Sequence, residues 1–321
     1  MRNYQTIVVA GAGVFGTAVA ERLSWNSANT VIIHSIEEDV VADINKNRRN
    51  TKYFPTQLLS PTLRATSDDK VFATADCILL VIPSKVIVSF CQSIEHLVKE
   101  ECLVINLAKG MSEEGAFITE QIPFARKASM KGPTFAIETL HGLPTAFTFG
   151  GNWEDYRHLK DRCLASTGLY LDYTDDIRSV ELMSLLKNMY AIAIGLVSGR
   201  FNSPNVDFLI YTKAASEMRS FLSLYECSPE TIFRYCGIGD LGLTGLNDLS
   251  RNRTLGLLMG KGFTLDNGDS ATVIEGSRTV KLMGELVKEK DVSEQFPIVT
   301  ALYNLFYEDA SLNDYMQAVF S

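Results

Sequence analysis

The chain has no long basic run, no CxxC pair and no apolar stretch long enough to cross a bilayer. Its formal net charge is −8 at pH 7, the opposite sign to a general nucleic-acid or membrane-surface binder, so we expect neither partner. The longest apolar stretches, such as residues 189–197, fall short of the roughly 20 residues that a transmembrane helix needs. No signal peptide is predicted either, because polar residues lead straight into a short strand.

The six cysteines are scattered along the chain. None is spaced with another cysteine, or with one of the four histidines, as a metal site requires. Several lie in apolar runs, as Cys77 does before Ile78, and this favours buried, reduced thiols. We therefore expect no metal site and a cytoplasmic protein.

The 321 residues are enough for two domains, and the sequence pattern changes along the chain. Up to about residue 176, short β-type runs alternate with helical patterns, which predicts a parallel sheet with right-handed crossovers. Strands are predicted over residues 6–10, 30–34, 77–82, 103–107, 145–149 and 170–173, and helices over residues 13–24, 37–47 and 85–98. Helical patterns then dominate, first over residues 180–197 and 208–224. The predicted fold is α/β, with an N-terminal Rossmann-type doubly wound sheet domain (residues 1–177) and an all-α C-terminal domain (residues 178–321).

A glycine-rich turn follows the first predicted strand. In Gly11-Ala12-Gly13-Val14-Phe15-Gly16 the first glycine permits a tight turn, the second lets the backbone approach a pyrophosphate, and the third lets the helix pack on the strand. Free amides at the helix start would bind the phosphates. A GxGxxG motif alone is a weak signal, but this one lies between an apolar strand and a helix. The pattern therefore favours a dinucleotide site over a glycine turn without a ligand.

The tip of the second predicted strand should decide between NAD and NADP. An acidic residue there favours NAD, because it binds the ribose hydroxyls, whereas an arginine favours NADP. Residues 34–38 offer no clear choice, since Glu37 and Glu38 also suit the start of the next helix. No arginine is present to hold a 2′-phosphate, so the pattern leans to NAD and leaves NADP open.

A lysine lies inside the apolar helix predicted over residues 180–197. Lys187 there needs a partner, a neutral amine, or a stem that reaches the surface. The adjacent Asn188 adds a second polar group, which favours a site. To act as a base near neutral pH, Lys187 would need a pKa lowered by ~3 units, or about 4 kcal/mol, which burial and neighbouring cations could supply.

Three further polar stretches are candidates for ligand binding. Asp240 lies in a glycine-rich run and suits either an inward-facing carboxylate or a helix cap. Residues 250–252 suit either a solvated loop or a fork of donors for a phosphate. Lys109-Gly110 and the turn at 132–138 both follow β-type runs, at the sheet edge where ligands of parallel sheets bind.

Together these segments resemble the bacterial-type NAD(P)-dependent glycerol-3-phosphate dehydrogenases over nearly the whole chain. They stand in the family's order: GAGVFGTA (11–18), KYFPTQLLSPTLRATSD (52–68), VIPSKV (81–86), AKG (108–110), GPTFAIETLHGLPTA (132–146), VELMSLLKNMYAIAIG (180–195), GIGDLGLT (237–244), SRNRTLG (250–256) and VIEG (273–276). No single segment is decisive, but so many in register are highly specific.

The resemblance implies a catalytic set of Lys187 for proton transfer, Lys109 at both substrate and cofactor, and Asp240 to position Lys187. The substrate-binding residues expected with it are Lys109, Gly132, Thr134, Lys187, Asn188, Asp240, Thr244, Ser250, Arg251 and Asn252. The cofactor-binding residues are Gly11, Gly13, Val14, Phe15, Gly16, Ile36, Lys109, Ala136, Arg251, Val273 and Glu275.

This sequence departs from the family pattern at six of the positions that we compared. Val14 stands in place of the usual serine and Ile36 in place of a common basic residue, which again argues against NADP. The other departures are Ser184 and Leu185 in place of a Gly-Ala pair, and Phe208 and Lys213 in place of alanine and arginine.

The implied reaction is reversible hydride transfer between C2 of sn-glycerol 3-phosphate and NAD(P)⁺, giving dihydroxyacetone phosphate; the family's role would be to supply glycerol 3-phosphate for phospholipid synthesis. A homodimer is left open. One alternative is a two-domain dehydrogenase acting on a hydroxy acid or ketopantoate, against which the Ser250–Asn252 segment argues. The other is a catalytically silent NAD-sensing or scaffold protein, against which the presence of Lys109, Lys187 and Asp240 argues.

Overall fold

The computed structural model describes residues 6–111, 116–263 and 275–321. The chain forms two compact units, Met1–Glu181 and Leu182–Ser321. The division falls inside the helix Ile177–Phe201.

The first unit is built on an eight-stranded sheet. Its strands are β1 (Thr6–Ala10), β2 (Thr30–His34), β3 (Arg64–Thr66), β4 (Cys77–Leu80), β5 (Leu103–Asn106), β6 (Lys127–Lys131), β7 (Thr145–Gly150) and β8 (Leu169–Thr174). Its helices are α1 (Val14–Leu23), α2 (Glu38–Asn47), α3 (Ser84–Ile94), α4 (Ile118–Gln121), α5 (Ala136–Leu140) and α6 (Trp153–His158), with short helical turns at Asp69–Thr74, Glu95–Leu97 and Leu159–Cys163.

The strand order is β3-β2-β1-β4-β5-β6-β7-β8. Its first six strands are parallel and follow the doubly wound order of dinucleotide-binding sheets, so the predicted fold class is confirmed. The chain order reverses between β1 and β4, and ligands of such sheets bind beyond the carboxyl ends of the strands at this point. All residues of β4 and β5 are buried, as expected for strands covered on both faces.

The expectation of a wholly parallel sheet is wrong at one pair, since β7 runs antiparallel to β6. The connection between β6 and β7 explains this antiparallel pairing. Helix α5 has only five residues, in place of the longer crossover helix that usually joins two parallel strands. The next strand therefore starts from the edge where β6 ended.

The second unit is helical throughout its described residues. Its helices are α7 (Ile177–Phe201, which starts in the first unit), α8 (Pro204–Leu224), α9 (Asp240–Gly245), α10 (Arg251–Gly260), α11 (Glu275–Glu289), α12 (Pro297–Tyr307) and α13 (Leu312–Phe320), with single turns at Pro229–Phe233, Tyr235–Gly239 and Ser293–Gln295. Helix α8 begins four residues before the predicted start, because Pro204 has a backbone suited to the first turn of a helix.

Helix α7 is the core of the second unit. By length and composition it could cross a membrane, so the expectation that no apolar stretch is long enough is wrong. Its whole apolar window is buried inside the protein, as in the central helix of a folded core. It crosses α10 at glycines of both helices. A Cβ atom added at Gly256 would lie 2.1 Å from the carbonyl oxygen of Ile192, and one at Gly260 would lie 2.1 Å from that of Leu196. The two helices therefore touch backbone to backbone.

All six cysteines are buried, as predicted, and none forms a disulfide bond.

Candidate active site

The glycine turn has the geometry that a pyrophosphate site needs. Gly11 has φ +118°, and a Cβ atom there would lie 2.7 Å from the carbonyl oxygen of Val81. Gly16 packs against the carbonyl of Gly11, because a Cβ atom added at Gly16 would lie 2.0 Å from the carbonyl oxygen of Gly11. Gly13 is different, because a Cβ atom added there would have no neighbouring atom within 4 Å. The surroundings of each glycine are therefore compatible with the purpose predicted for it, and the backbone at Gly13 is open.

Helix α1 begins directly after this open position. Gly13 is its N-cap, no side chain bonds the N-cap position, and the first turn carries no acidic residue. Val14 and Phe15 lie in that turn, and Val14 is 44% exposed. A helix N-terminus of this kind offers N–H groups and a partial positive charge to phosphates. The residues present therefore fit a dinucleotide.

A buried asparagine that the sequence did not single out supports the turn. Asn50 is fully buried, and its Nδ2 donates to the carbonyl of Ala12 at 2.8 Å and to Oγ1 of Thr17 at 2.9 Å. The Thr17 hydroxyl in turn donates to Ala12 at 3.1 Å. These bonds fix the carbonyl between the first two glycines, so the shape of the turn depends on a residue 38 positions away.

The tip of β2 carries an exposed apolar residue beside an acidic one. Ile36 is 88% exposed, and Glu37 follows as the N-cap of α2. The Glu37 carboxylate pairs with Lys52 and accepts from the Tyr53 hydroxyl at 3.3 Å. Burial lowers the pKa of His34, whereas Asp69, whose carboxylate lies 2.8 Å from Nε2, raises it, and the ring packs 4.8 Å from that of Phe72.

Four other predicted residues lie in segments that follow the carboxyl ends of β5 and β6. Lys109 is half-buried in the turn after β5, while Gly132, Thr134 and Ala136 follow β6. Gly132 packs tightly on the next strand, since an added Cβ would lie 2.2 Å from the carbonyl oxygen of Ala146. The first unit thus collects its predicted residues at one edge of the parallel strands.

In the second unit, Lys187 of α7 and Asp240 of α9 form an ion pair. The side chains are 0% and 1% exposed, and Nζ of Lys187 contacts Oδ2 of Asp240. The other carboxylate oxygen accepts from the Thr244 hydroxyl at 3.3 Å. The lysine is therefore paired inside the protein, and its side chain does not reach the surface. The predicted catalytic pair and Thr244 are in contact.

Asn188 belongs to a polar chain beside this pair. Its Nδ2 donates to Glu275 at 3.1 Å, and its Oδ1 accepts from Asn252 at 3.2 Å. The Oδ1 of Asn252 accepts from the backbone N–H of Gly276 at 3.1 Å. The structure therefore brings together Asn188, Asn252 and Glu275 from α7, α10 and α11.

The start of α10 displays one arginine and buries another. Ser250 is the N-cap and accepts from the N–H of Arg253 at 3.3 Å, while Arg251 in the first turn is exposed. Arg253 donates to Gly245 at 2.6 Å and to Ser198 at 3.0 Å, so its guanidinium is a structural tie. Only Arg251 of the two is placed to meet a ligand.

Two of the departures from the family pattern have visible consequences. The Ser184 hydroxyl is buried with no hydrogen-bond partner among the described residues, one turn before Lys187. Lys213 donates to the carbonyl of Val319 at 2.7 Å, near the end of α13. Phe208 is 58% exposed.

Val273, a predicted cofactor-binding residue, lies outside the described residues. Within 6–111, 116–263 and 275–321, no group of three or more His, Cys, Asp or Glu side chains could hold a metal ion.

Comparison with known proteins agrees with this geometry. Residues 6–156 match the family model for the N-terminus of NAD-dependent glycerol-3-phosphate dehydrogenase, and residues 176–317 match the model for its C-terminus. A glycerol-3-phosphate dehydrogenase (NAD(P)⁺) of Methanothermobacter thermautotrophicus is 31% identical, with 97% of this chain and 96% of that protein covered. The enzyme of the same name from Novosphingobium aromaticivorans is 33% identical, with 92% and 90% covered.

A solved structure shows the same fold. Glycerol-3-phosphate dehydrogenase from Coxiella burnetii has a TM-score of 0.83 and 27% identity, with 98% of each chain covered. Fold and matches define an NAD(P)-dependent oxidoreductase that acts on a CH–OH group. More narrowly, the chain belongs to the NAD-dependent glycerol-3-phosphate dehydrogenase family, and the resemblance found in the sequence is confirmed.

Proposed function

We propose that this chain catalyses reversible hydride transfer between C2 of sn-glycerol 3-phosphate and a nicotinamide coenzyme, with dihydroxyacetone phosphate as the oxidised product. The observation that carries the proposal is the buried ion pair of Lys187 with Asp240. The bound coenzyme supplies or accepts the hydride. The protein must supply the proton that the C2 oxygen gains or loses.

Lys187 is proposed to move that proton. In the reducing direction, its ammonium donates to the carbonyl oxygen of dihydroxyacetone phosphate. In the oxidising direction, its neutral amine accepts the hydroxyl proton of glycerol 3-phosphate. Asp240 holds the amine in place and stabilises its charged form, and Thr244 orients the carboxylate. Contact of Lys109 with substrate and coenzyme stays a prediction.

The phosphate of the substrate is proposed to bind at the start of α10. The first turn of this helix carries no acidic residue, and the exposed Arg251 offers planar donors that suit phosphate oxygens. Ser250 and Asn252 flank it, and Asn252 is already oriented by Asn188. Binding energy at the phosphate would fix C2 for the reaction.

For the coenzyme, we propose a preference for NAD within the NAD(P) class. The support is the exposed apolar Ile36 beside the Glu37 carboxylate, since Ile36 offers no hydrogen-bond donor to a 2′-phosphate and Glu37 is negatively charged. We also propose a cytoplasmic enzyme, in keeping with six buried cysteines that form no disulfide, that supplies glycerol 3-phosphate for phospholipid synthesis. A homodimer stays a proposal, to be tested by light scattering.

A substrate panel tests the proposed activity. NADH and NADPH oxidation are followed separately with dihydroxyacetone phosphate, unphosphorylated dihydroxyacetone, ketopantoate and a 2-keto acid. We expect turnover with dihydroxyacetone phosphate and a higher kcat/KM with NADH. Turnover with ketopantoate or the 2-keto acid alone would support the hydroxy-acid or ketopantoate alternative, and turnover with none would support a silent NAD-binding protein.

A further inference from the structure

A buried hydrogen-bond network lies beneath the turn that carries Lys109. Asn106, the last residue of β5, is fully buried, and its Nδ2 donates to Oε1 of Glu181 at 2.5 Å. Its Oδ1 accepts from the backbone N–H of Ala108 at 3.0 Å. The amide orientation is fixed chemically, because a backbone N–H only donates and the carboxylate is the acceptor. One side chain thus ties the turn to Glu181.

Glu181 has its own anchors. It is 3% exposed in the first turns of α7, and its second carboxylate oxygen accepts from the N–H of Thr119 at 3.3 Å. Lys131, 4% exposed, donates to the carbonyl of Asn106 at 2.8 Å, and its positive charge acts on Glu181. Burial raises the pKa of Glu181, whereas Lys131 and the hydrogen bonds lower it. A buried carboxylate needs a hydrogen-bond donor at each of its oxygens.

The position of Glu181 gives the network a role beyond packing in the core. Glu181 lies in the first turns of α7, inside the first unit. At the other end, Asn106 holds the amide of Ala108, the residue next to Lys109. The network therefore joins the Lys109 turn to the start of α7.

We propose that Asn106 and Glu181 are a positioning pair, whose hydrogen bond holds the Lys109 turn in its working conformation. Neither side chain is proposed to touch substrate or coenzyme. The inference rests on the proposed function for its kinetic consequence but not for its structural one, since the turn is held in the protein alone.

An exchange of donor and acceptor tests the pair. Asn106→Asp puts two carboxylates face to face, and Glu181→Gln puts two amide NH₂ groups face to face or turns one towards the N–H of Thr119. In the double variant Asn106→Asp/Glu181→Gln, the introduced glutamine would donate to the introduced aspartate. That aspartate would still accept from the N–H of Ala108, and the glutamine oxygen would accept from the N–H of Thr119.

The double variant is therefore designed to keep the hydrogen bonds to the N–H groups of Ala108 and Thr119, with only the bond between the two side chains reversed. One negative charge remains near Lys131, as in the wild-type protein. Asn45→Asp is the matched control, because Asn45 makes a similar donor and acceptor pair with Ala65 on the edge strand β3.

Two readouts are measured on the full chain. Hydrogen exchange of the peptide covering residues 107–111 is followed without ligand, and kcat and KM are measured with dihydroxyacetone phosphate. Each single variant is expected to speed exchange and to lower kcat/KM by about tenfold or more, while the double variant recovers most of both. Asn45→Asp should leave both near the wild-type values.

The proposal would be overturned if the single variants showed the same exchange rate and the same turnover as the wild-type protein. It would also be overturned by a double variant that recovers its thermal stability but neither exchange nor kcat/KM, because the pair would then be merely structural. If the wild-type protein does not reduce dihydroxyacetone phosphate, the proposed function fails, and the exchange measurement alone still decides whether Asn106 and Glu181 hold the turn.

Discussion

Nζ of Lys187 and Oδ2 of Asp240 are in contact, although the two residues are 53 positions apart and almost fully buried. A buried lysine is costly on its own, and a buried acid equally so, so each is held by the other. The pair gives a proton-bearing amine a fixed place in an otherwise apolar helix.

The first prediction separates the chemical role of this pair from its structural one. Lys187→Met leaves Asp240 buried without its partner and should cost about 3–5 kcal/mol of folding free energy. Lys187→Met/Asp240→Asn removes both charges and should recover much of that stability. Turnover should nevertheless fall by about 100-fold or more in both variants, because the proton donor is absent.

Urea unfolding and steady-state kinetics are the measurements, with coenzyme binding by fluorescence as the check on folding. Near-normal turnover in either variant would exclude Lys187 as the group that moves the proton.

The second prediction concerns the coenzyme. Ile36→Arg would place a guanidinium at the exposed tip of β2, where the 2′-phosphate of NADP would be held. The ratio of the Kd for NADPH to the Kd for NADH should fall by about tenfold, which corresponds to one charge-assisted hydrogen bond.

Direct titration by fluorescence measures both constants without turnover. Ile36→Leu is the control and should leave the ratio unchanged. A ratio unmoved by the arginine would mean that the ribose lies elsewhere.

The third prediction uses the close crossing of α7 and α10. Alanine at position 256 would gain helix propensity but would place its Cβ 2.1 Å from the carbonyl oxygen of Ile192, so the helices must separate. Gly242→Ala is the matched control, because its Cβ would meet only the Tyr211 side chain at 3.6 Å.

Gly256→Ala should lower the free energy of unfolding by about 2 kcal/mol or more, whereas Gly242→Ala should leave it unchanged or raise it slightly. Equal stabilities in the two variants would show that the glycine crossing is not needed. Thermal and urea unfolding both report the difference.

The fourth prediction concerns pH. Burial raises the pKa of Glu217 to about 7, against hydrogen bonds from Tyr190 and from the N–H groups of Ile298 and Val299. Between the ordinary value of 4.5 and about 7, the folded protein keeps a proton that the unfolded chain has released. The contribution of this group to stability therefore falls as pH rises across that window, by up to about 3 kcal/mol.

Glu217→Gln cannot titrate, so the difference in unfolding free energy between wild type and variant should change between pH 4.5 and 7 and stay flat above it. Parallel curves for the two proteins would contradict the raised pKa. The other titrating groups are common to both proteins and cancel in the difference.

Local features of the chain could be predicted well from sequence. The bounds of β1 and β2 agree with the structure to the residue, because short apolar runs end at a glycine turn and at a helix start. Strand β3 has three residues and no apolar pattern, so it gives no clear strand signal. Strand β6, which begins and ends with lysine, shows in the sequence only as the β-type run before residue 132.

Polar partners far apart in the chain could not be predicted. Asn50 and Asn106 have no motif, and their roles depend on partners 38 and 75 residues away. Lys187 is recognisable because a lysine in an apolar helix conflicts with its surroundings, whereas a buried asparagine at a strand end does not. The residues that hold a site in shape are therefore harder to find than those that conflict with local pattern.

The most direct test of the central claim follows the hydride itself. The protein is incubated with dihydroxyacetone phosphate and NADH carrying deuterium at both C4 positions, and the product is analysed by mass spectrometry. We predict glycerol 3-phosphate with one deuterium, located at C2. Product without deuterium, or no glycerol 3-phosphate from a folded protein that binds NADH, would contradict hydride transfer to this substrate.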